Sequence, residues 1–163
     1  MDNITRQILD LLRENAKLTP EEIAVMLKID MVEVRGIIKD LEDNKIILNY
    51  QTMINWEKIG EEKVIALIEV RITPQRDVGF DAIAERIYRF PEVRSMHLMS
   101  GTYDLAIFVE GSSMKEIAHF VSTKLATIEG VISTASYFVL KTYKQNGVII
   151  EDNEEDRRLM VSP

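Results

Sequence analysis

The sequence predicts an α+β protein built from two modules, and three observations lead to that prediction. The first third of the chain places apolar side chains three and four positions apart, which is helical spacing. Beyond about residue 60, strand-like and helix-like segments follow in the order βαββαβ, the pattern of a ferredoxin-like domain. Between the modules lies a stretch rich in β-branched and aromatic residues. The predicted fold is an N-terminal winged helix-turn-helix followed by a ferredoxin-like domain.

Three short helices are predicted in the first module. The second begins at Thr19, which forms a capping box with Glu22, and the third begins after the N-cap Asp30. The tight turn at residues 28–30 between them predicts a helix-turn-helix. The segment KIILNYQTMINWEKIG, residues 45–60, is predicted to form a hairpin or wing. The side chains predicted to face the core are Ile4, Ile8, Leu11, Leu12, Ile23, Met26, Leu27, Val34, Ile37, Ile38 and Leu41.

The second module begins with a clear strand. Every even position from Val64 to Ile72 is apolar, the period of a strand with one buried face. Helices are predicted at residues 80–90 and 113–130, and further strands at 93–100, 103–110 and 131–144. The inward side chains predicted for the second of these helices are Met114, Ile117, Ala118, Val121, Leu125 and Ile128. The predicted domains are residues 1–60 and 61–148, followed by an acidic, disordered tail at 149–163.

Composition excludes several classes of function. The 163 residues carry a net charge of −7 and no cysteine, which rules out disulfides and thiolate metal sites. No apolar run approaches the ~18 residues of a transmembrane helix, and the first ten residues lack the apolar stretch of a signal peptide. We therefore expect a cytoplasmic protein with no membrane partner. His97 and His119 are isolated, and phosphate-loop, hydrolase and zinc-protease motifs are absent, so no metal, cofactor or catalysis is expected.

Three stretches of the sequence, in this order and spacing, carry a family resemblance. LEDNKIILNYQTMINWEKIG is similar to the end of a recognition helix and its linking strands, SGTYDL to a glycine-x-x-aspartate turn, and SYFVLKTYK to a final strand. Over roughly residues 3–148 the chain resembles the Lrp/AsnC family of amino-acid-responsive transcription regulators. The resemblance implies a DNA-binding module and a sensing module that forms a homodimer through its sheet and assembles further, commonly to an octamer.

In such a regulator, the third helix is expected to enter the major groove of double-stranded DNA with the face opposite its apolar stripe. On that face Arg35 and Lys39 can hydrogen-bond base edges and phosphates. Met31 stands early in the helix, where the family usually has Ser or Thr. The first sixty residues carry eight basic and eleven acidic residues, which disfavours strong non-specific binding. The predicted DNA-binding residues are Lys28, Met31, Val32, Arg35, Gly36 and Lys39.

The resemblance also implies that an amino-acid effector lies between sensing modules, near the glycine-x-x-aspartate turn and the final strand. Turn amides and hydroxyls can donate to the carboxylate of an amino acid, and Asp104 can accept from its ammonium group. A turn alone also explains both residues, because Gly101 can adopt positive φ at little cost and Asp104 can accept backbone amides. The predicted effector-binding residues are Met99, Ser100, Gly101, Thr102, Tyr103, Asp104, Thr134, Ser136, Tyr137, Phe138 and Val139.

Two other functions stay open from the sequence. Siroheme decarboxylases share this architecture and have helix-turn-helix units that do not bind DNA, and Arg94 lies near His97 here. The chain lacks, however, the arginine-rich cluster and the histidine-bearing final segment of such an enzyme. The second alternative is a sensing protein that acts through partner proteins alone, and DNA binding separates it from a regulator.

Overall fold

The computed structural model describes residues 2–61, 63–73 and 79–150, so the predicted tail lies outside the described residues from position 151 onward. The chain divides into two compact units, Met1–Ile54 and Asn55–Pro163. Three helices make up the first unit: α1 Asn3–Glu14, α2 Pro20–Leu27 and α3 Met31–Asp43. Each of the three predicted helices is therefore observed.

The starts of α2 and α3 are fixed by the side chains that the sequence predicts. The hydroxyl of Thr19 accepts a hydrogen bond from the amide of Glu22 at 3.2 Å, and the Glu22 carboxylate accepts from the Thr19 amide at 2.8 Å. This reciprocal pair is the predicted capping box. Asp30 accepts from the amide of Val32 at 2.7 Å and caps α3. Both predicted helix starts are confirmed.

The core of the first unit forms where the three helices meet, and its buried residues are Ile8, Leu12, Ile23, Ala24 and Val34. Most predicted inward residues belong to this cluster or pack against it. Met26 does not, because 54% of it is exposed. Since α2 turns Ile23 and Ala24 toward the core, Met26 lies about 110° round the helix from their midpoint.

The predicted wing is not shown by the structure. In residues 44–56, all of which are described, no strand forms, and the following residues make only a short 3₁₀ turn, Glu57–Ile59. Most apolar residues of this segment are exposed, including Leu48 at 84%, whereas Ile47 packs against the core of the first unit. Strand-forming residues need a neighbouring strand, and an isolated hairpin is at best marginally stable. The segment is tied back to α3 by the Tyr50 hydroxyl, which donates to the Glu42 carboxylate at 2.8 Å.

The second unit contains a four-stranded antiparallel sheet and two helices in the predicted order. The elements are β1 Val64–Ile72, α4 Asp81–Tyr88, β2 Val93–Leu98, β3 Leu105–Gly111, α5 Met114–Phe120 and β4 Val131–Phe138. The strand order is β2-β3-β1-β4, and every neighbouring pair is antiparallel. The last predicted strand is shorter than expected. A small hairpin that the sequence did not predict follows it, β5 Lys144–Gln145 and β6 Val148–Ile149.

The helix α5 does not continue as a regular α-helix. It passes into a π-helical turn, Val121–Leu125, while Ile117, Phe120 and Val121 form its buried line. The predicted inward residues Met114 and Ala118 are exposed instead, Met114 at 54%. The physical reason is that Ile117 and Phe120 face the core. At about 100° per residue, Ala118 lies about 100° from Ile117 and about 160° from Phe120, so it points away from the core.

The two faces of the sheet differ. On the side of the helices, Ala66, Ile68 and Val70 are fully buried, as the alternation in β1 predicts. On the open side, Leu67 pairs with Phe108 in β3 and with Tyr137 in β4, and these two aromatic residues are 36% and 52% exposed. An apolar surface thus runs across the open side of the sheet. Among the described residues, no helix is long and apolar enough to cross a membrane.

Candidate functional site

The turn between α2 and α3 sets the start of the predicted groove-reading helix. Lys28 adopts the left-handed conformation, with φ at 56°, and its amide donates to the carbonyl of Ala24 to close α2. The N-cap Asp30 follows two residues later. The side chain of Lys28 is exposed beside the first turn of α3, consistent with a candidate phosphate contact.

Four of the predicted DNA-binding residues share one exposed face of α3. Val32 is 70% exposed, the Arg35 side chain is 58% exposed, and Gly36 and Lys39 are also exposed. At about 100° per residue they fall within an arc of about 100° opposite the buried Val34. Among the described residues of the first unit, none covers this face, so it is exposed to solvent.

Met31 does not share that face. It is half-buried and packs against the core of the first unit, because it lies at the edge of the apolar stripe of α3. Met31 therefore lies beside this face and not on it, and its contact with DNA stays a prediction. Arg35 is engaged across the helix pair by an ion pair with Glu21 of α2. A backbone hydrogen bond and then the Arg35 hydrogen bond hold the pKa of Glu21 below its ordinary value.

Both the side chain and the amide of Asp104 bind the backbone of β1, and we call this contact the Asp104 junction. Its Oδ2 accepts a hydrogen bond from the amide of Ile72 at 2.8 Å, and its own amide donates to the carbonyl of Val70 at 3.0 Å. The register of β1 against β4 shifts between Arg71 and Ile72, so the carboxylate satisfies an amide at that irregularity. Arg71 completes the junction by donating to the carbonyl of Thr102 at 2.8 Å.

The turn before Asp104 is open to solvent. Ser100, Gly101 and Thr102 are exposed, and apart from its two chain neighbours, no described residue lies within 4 Å of the position that a Cβ on Gly101 would take. Gly101 does not use a positive φ, unlike Gly130 and Gly147. The structure thus gives no conformational reason for a glycine at this position.

Within one chain, the predicted effector-binding residues do not come together. Thr134 pairs with Val70, next to the Asp104 junction, whereas Phe138 pairs with Ala66 at the opposite end of the sheet. Four residues of strand separate the two ends, a distance of about 13 Å. Alternation also divides β4, so that Tyr137 points to the open side while Ser136 and Phe138 point to the helix side.

The open side of the sheet also carries a charged cluster that the sequence did not predict. Glu110 accepts from the Lys63 ammonium at 2.7 Å and from Nε of Arg94 at 3.2 Å, and Lys63 also lies 3.9 Å from the centre of the Trp56 ring. Burial raises the pKa of Glu110, but the hydrogen bonds from the two cations outweigh it and hold the pKa below the ordinary value. The partners are far apart in sequence, so only the alternation of strand faces could have suggested the cluster.

No metal centre is built by the residues that the structure describes, since they contain no group of three or more His, Cys, Asp or Glu side chains placed to hold an ion. His97 and His119 are exposed on separate elements, β2 and α5. The side chain of Arg94, three residues before His97, donates a hydrogen bond to the Glu110 carboxylate. Two candidate sites therefore remain, the exposed face of α3 and the turn before Asp104.

Comparison with known proteins finds one matching family model and several related transcriptional regulators. The family model of the Lrp/AsnC ligand binding domain matches residues 65–149. The uncharacterized HTH-type transcriptional regulator YugG of Bacillus subtilis (strain 168) is 49% identical over 158 residues, which is 96% of this chain and 95% of that protein. The HTH-type transcriptional regulator LrpA of Pyrococcus abyssi is 28% identical over 144 residues, covering 88% of this chain and 99% of that protein.

Solved structures show the same architecture. The transcriptional regulator NMB0573 of Neisseria meningitidis, solved in complex with L-Met, superposes with a TM-score of 0.73 at 28% identity, covering 89% of this chain and 93% of that chain. AsnC of Escherichia coli superposes with a TM-score of 0.70 at 21% identity, covering 89% and 95%, and supports the fold alone. These relatives are transcriptional regulators and not enzymes, which speaks against the decarboxylase alternative.

Proposed function

This chain belongs to the Lrp/AsnC family, and on that premise we propose that it is a cytoplasmic transcriptional regulator that binds double-stranded DNA and responds to a small amino acid. The proposal assigns DNA binding to residues 1–60 and effector sensing with oligomerisation to residues 61–148. The observation that carries it is the relationship to an HTH-type regulator along nearly the whole chain. The exposed face of α3 supports it.

DNA binding through this face depends on a few well-placed contacts. Arg35 and Lys39 are its two cations, and the ion pair of Arg35 with Glu21 is exposed, so a phosphate or a guanine edge can replace the carboxylate. Because the unit carries more acidic than basic residues, non-specific attraction to DNA is weak. Two copies of α3 in one dimer strengthen binding by raising the effective concentration at the second half-site.

The DNA-binding step is tested with duplexes enriched by the full-length protein from a random-sequence library. Arg35→Ala and Lys39→Ala are each expected to weaken binding about fivefold or more if they contact base edges, or to lower the salt slope by about one if they contact phosphate. Lys115→Ala, an exposed lysine on α5, is the matched control and should bind as the wild type does. Failure to enrich any sequence over random duplex would favour the sensing protein without DNA binding.

For the effector, the turn at residues 99–104 is the part of the predicted site that the geometry supports best. The exposed hydroxyls of Ser100 and Thr102 and the open space at Gly101 can receive the carboxylate of an α-amino acid. Oδ2 of Asp104 is already used by the Ile72 amide, which leaves Oδ1 for the ammonium group. The complex of the Neisseria regulator with L-Met makes L-methionine the first ligand to try.

Calorimetric titration with L-methionine and the other proteinogenic amino acids tests this site. Asp104→Asn keeps an oxygen for the Ile72 amide but removes the charge, so it should weaken amino-acid binding while leaving the melting temperature nearly unchanged. Glu61→Gln, an exposed carboxylate outside the sheet, is the control. If no amino acid binds the wild type, or if Asp104→Asn binds as tightly as the wild type, the proposed effector site is wrong.

A second chain is part of the proposal, because the predicted effector-binding residues occupy both ends of the sheet. The open side, with Leu67, Phe108 and Tyr137, offers an apolar surface for a homodimer, which would assemble further toward an octamer. Tyr137→Asp places a charge in the middle of that surface and should shift the mass measured in solution toward the monomer. A wild-type mass equal to one chain would contradict the assembly.

A further inference from the structure

Two neighbouring positions on the exposed face of α3 are unusual for a solvated helix surface. Val32 presents an apolar side chain that is 70% exposed, and Gly36, four residues later on the same line, presents none. The interpretation of this pair rests on the proposed DNA binding and concerns which feature of the duplex α3 reads.

Nothing in the first unit, as the structure describes it, explains why a glycine stands at position 36. It lies in the interior of a 13-residue helix, where glycine lowers helix stability relative to alanine. Its φ is not in the left-handed region, and apart from its chain neighbours and the backbone of its own helix, no described atom lies within 4 Å of the position of an added Cβ. Neither backbone conformation nor packing among the described residues therefore calls for glycine, and the surface of α3 is flat at this position.

Val32 lies at the end of α3 that approaches base edges in a helix-turn-helix. It is the second residue of α3, and the Asp30 carboxylate accepts a hydrogen bond from its amide at 2.7 Å, which fixes the first turn. N-terminal residues of a recognition helix contact bases in the major groove. Exposure alone does not distinguish Val32, since Val25 on α2 is 79% exposed, but Val25 is not on the groove-facing helix.

The charges around the pair suit a duplex. Arg35 precedes Gly36 and Lys39 follows it along the chain, and both lie on the same side of Gly36 within this arc, at about 100° and 60° from it. The acidic residue on this arc, Asp43, is eleven positions beyond Val32 and therefore about 16 Å further along the helix axis. The first two turns of the face thus combine an apolar contact, a flat position and two cations.

We propose that Val32 contacts the 5-methyl group of a thymine in the major groove, and that Gly36 lets α3 approach the groove closely enough for that contact. The thymine methyl is the apolar group that base pairs present in the major groove, and apolar side chains recognise it there. The preferred half-site therefore carries a thymine, or another pyrimidine with a 5-methyl group, opposite the first turn of α3.

The test uses duplexes enriched from a random-sequence library by the full-length protein, with each thymine replaced in turn by deoxyuridine, which lacks only the methyl group. At one position, the replacement should weaken binding by the wild type about three- to fivefold, the contribution of one buried methyl group. Val32→Ala should bind the thymine duplex about that much more weakly and should no longer distinguish it from the deoxyuridine duplex. Val25→Ala is the matched control and should keep the wild-type discrimination.

Gly36→Ala separates close approach from folding. The substitution should raise the melting temperature, because alanine is the better helix former, while weakening binding to the enriched duplex by about fivefold or more. Binding that is insensitive to every methyl removal, or a Val32→Ala variant that keeps full discrimination, overturns the proposal while leaving DNA binding intact. Failure to enrich any duplex is a different result, because it overturns the proposed function itself.

Discussion

Gly130 is the position where a single added methyl group should damage the second unit most. It has a φ of 94°, and a Cβ built on it would lie 2.5 Å from Cδ1 of Ile83. Ile83 belongs to the core at 1% exposure, so its side chain cannot move away without emptying a packed position. We therefore expect Gly130→Ala to cost about 1–2 kcal/mol from the positive φ and about 1–3 kcal/mol from overpacking.

Urea unfolding of the full chain, followed by the fluorescence of Trp56, measures this loss. Trp56 is the one tryptophan and belongs to the second unit, where the Lys63 ammonium lies over its ring. A total loss of about 2–5 kcal/mol should also lower the melting temperature of this unit by about 10 °C or more. Gly101→Ala is the matched control, because no described atom would touch its Cβ, and its effect should stay within about 0.5 kcal/mol.

The contact with Ile83 can be separated from the backbone strain. Ile83→Val removes the Cδ1 atom that the new methyl group would strike, so the double variant should be about 1–2 kcal/mol more stable than the sum of the two single losses predicts. Strict additivity of the two losses, or a Gly130→Ala variant as stable as Gly101→Ala, would refute this account of the helix–sheet junction.

Two further substitutions test interactions in the separate units. Thr19→Ala should destabilise the first unit by about 1 kcal/mol, because it removes the hydroxyl that accepts from the Glu22 amide, and thermal unfolding followed by circular dichroism measures it. Glu110→Gln should destabilise the second unit by about 1–2 kcal/mol at neutral pH, because it breaks charge-assisted hydrogen bonds with two cations. Since the folded-state pKa of Glu110 is lowered, its contribution is present above the ordinary glutamate pKa and is lost as the pH falls through the lowered value. Urea unfolding across acidic pH should therefore show a weaker pH dependence in the variant, and an unchanged pH dependence would contradict the role of the cluster.

Local signals predicted the fold well because each acts over a few residues. The capping box at Thr19 and the alternation from Val64 to Ile72 both appear as the sequence predicts. The π-helical turn after Phe120 could not be foreseen, because a shift from α to π changes the hydrogen-bond register without interrupting the apolar pattern. The hairpin or wing predicted at residues 45–60 is not observed, because its strand-forming residues have no strand beside them.

The site was less predictable because its contacts join distant parts of the chain. The sequence placed Asp104 at a turn, but its hydrogen bond to the amide of Ile72 depends on the irregular register of β1 against β4. Glu110 joins partners that lie 16 and 47 positions away. Helical periodicity, by contrast, was enough to place Val32 and Lys39 on the exposed face of α3.

The acidic balance of the first unit bears on how an effector could control this protein. A single α3 that offers only Arg35 and Lys39 as cations gains little from the sequence-independent attraction to phosphate. In the proposed assembly, occupancy of a DNA site therefore depends on two α3 helices meeting two half-sites at once. The affinity gained from the second helix is lost when the spacing of the helices does not match the spacing of the half-sites. An amino acid bound between sensing units then needs to change only that spacing, and not the face of α3, to change which sites are occupied.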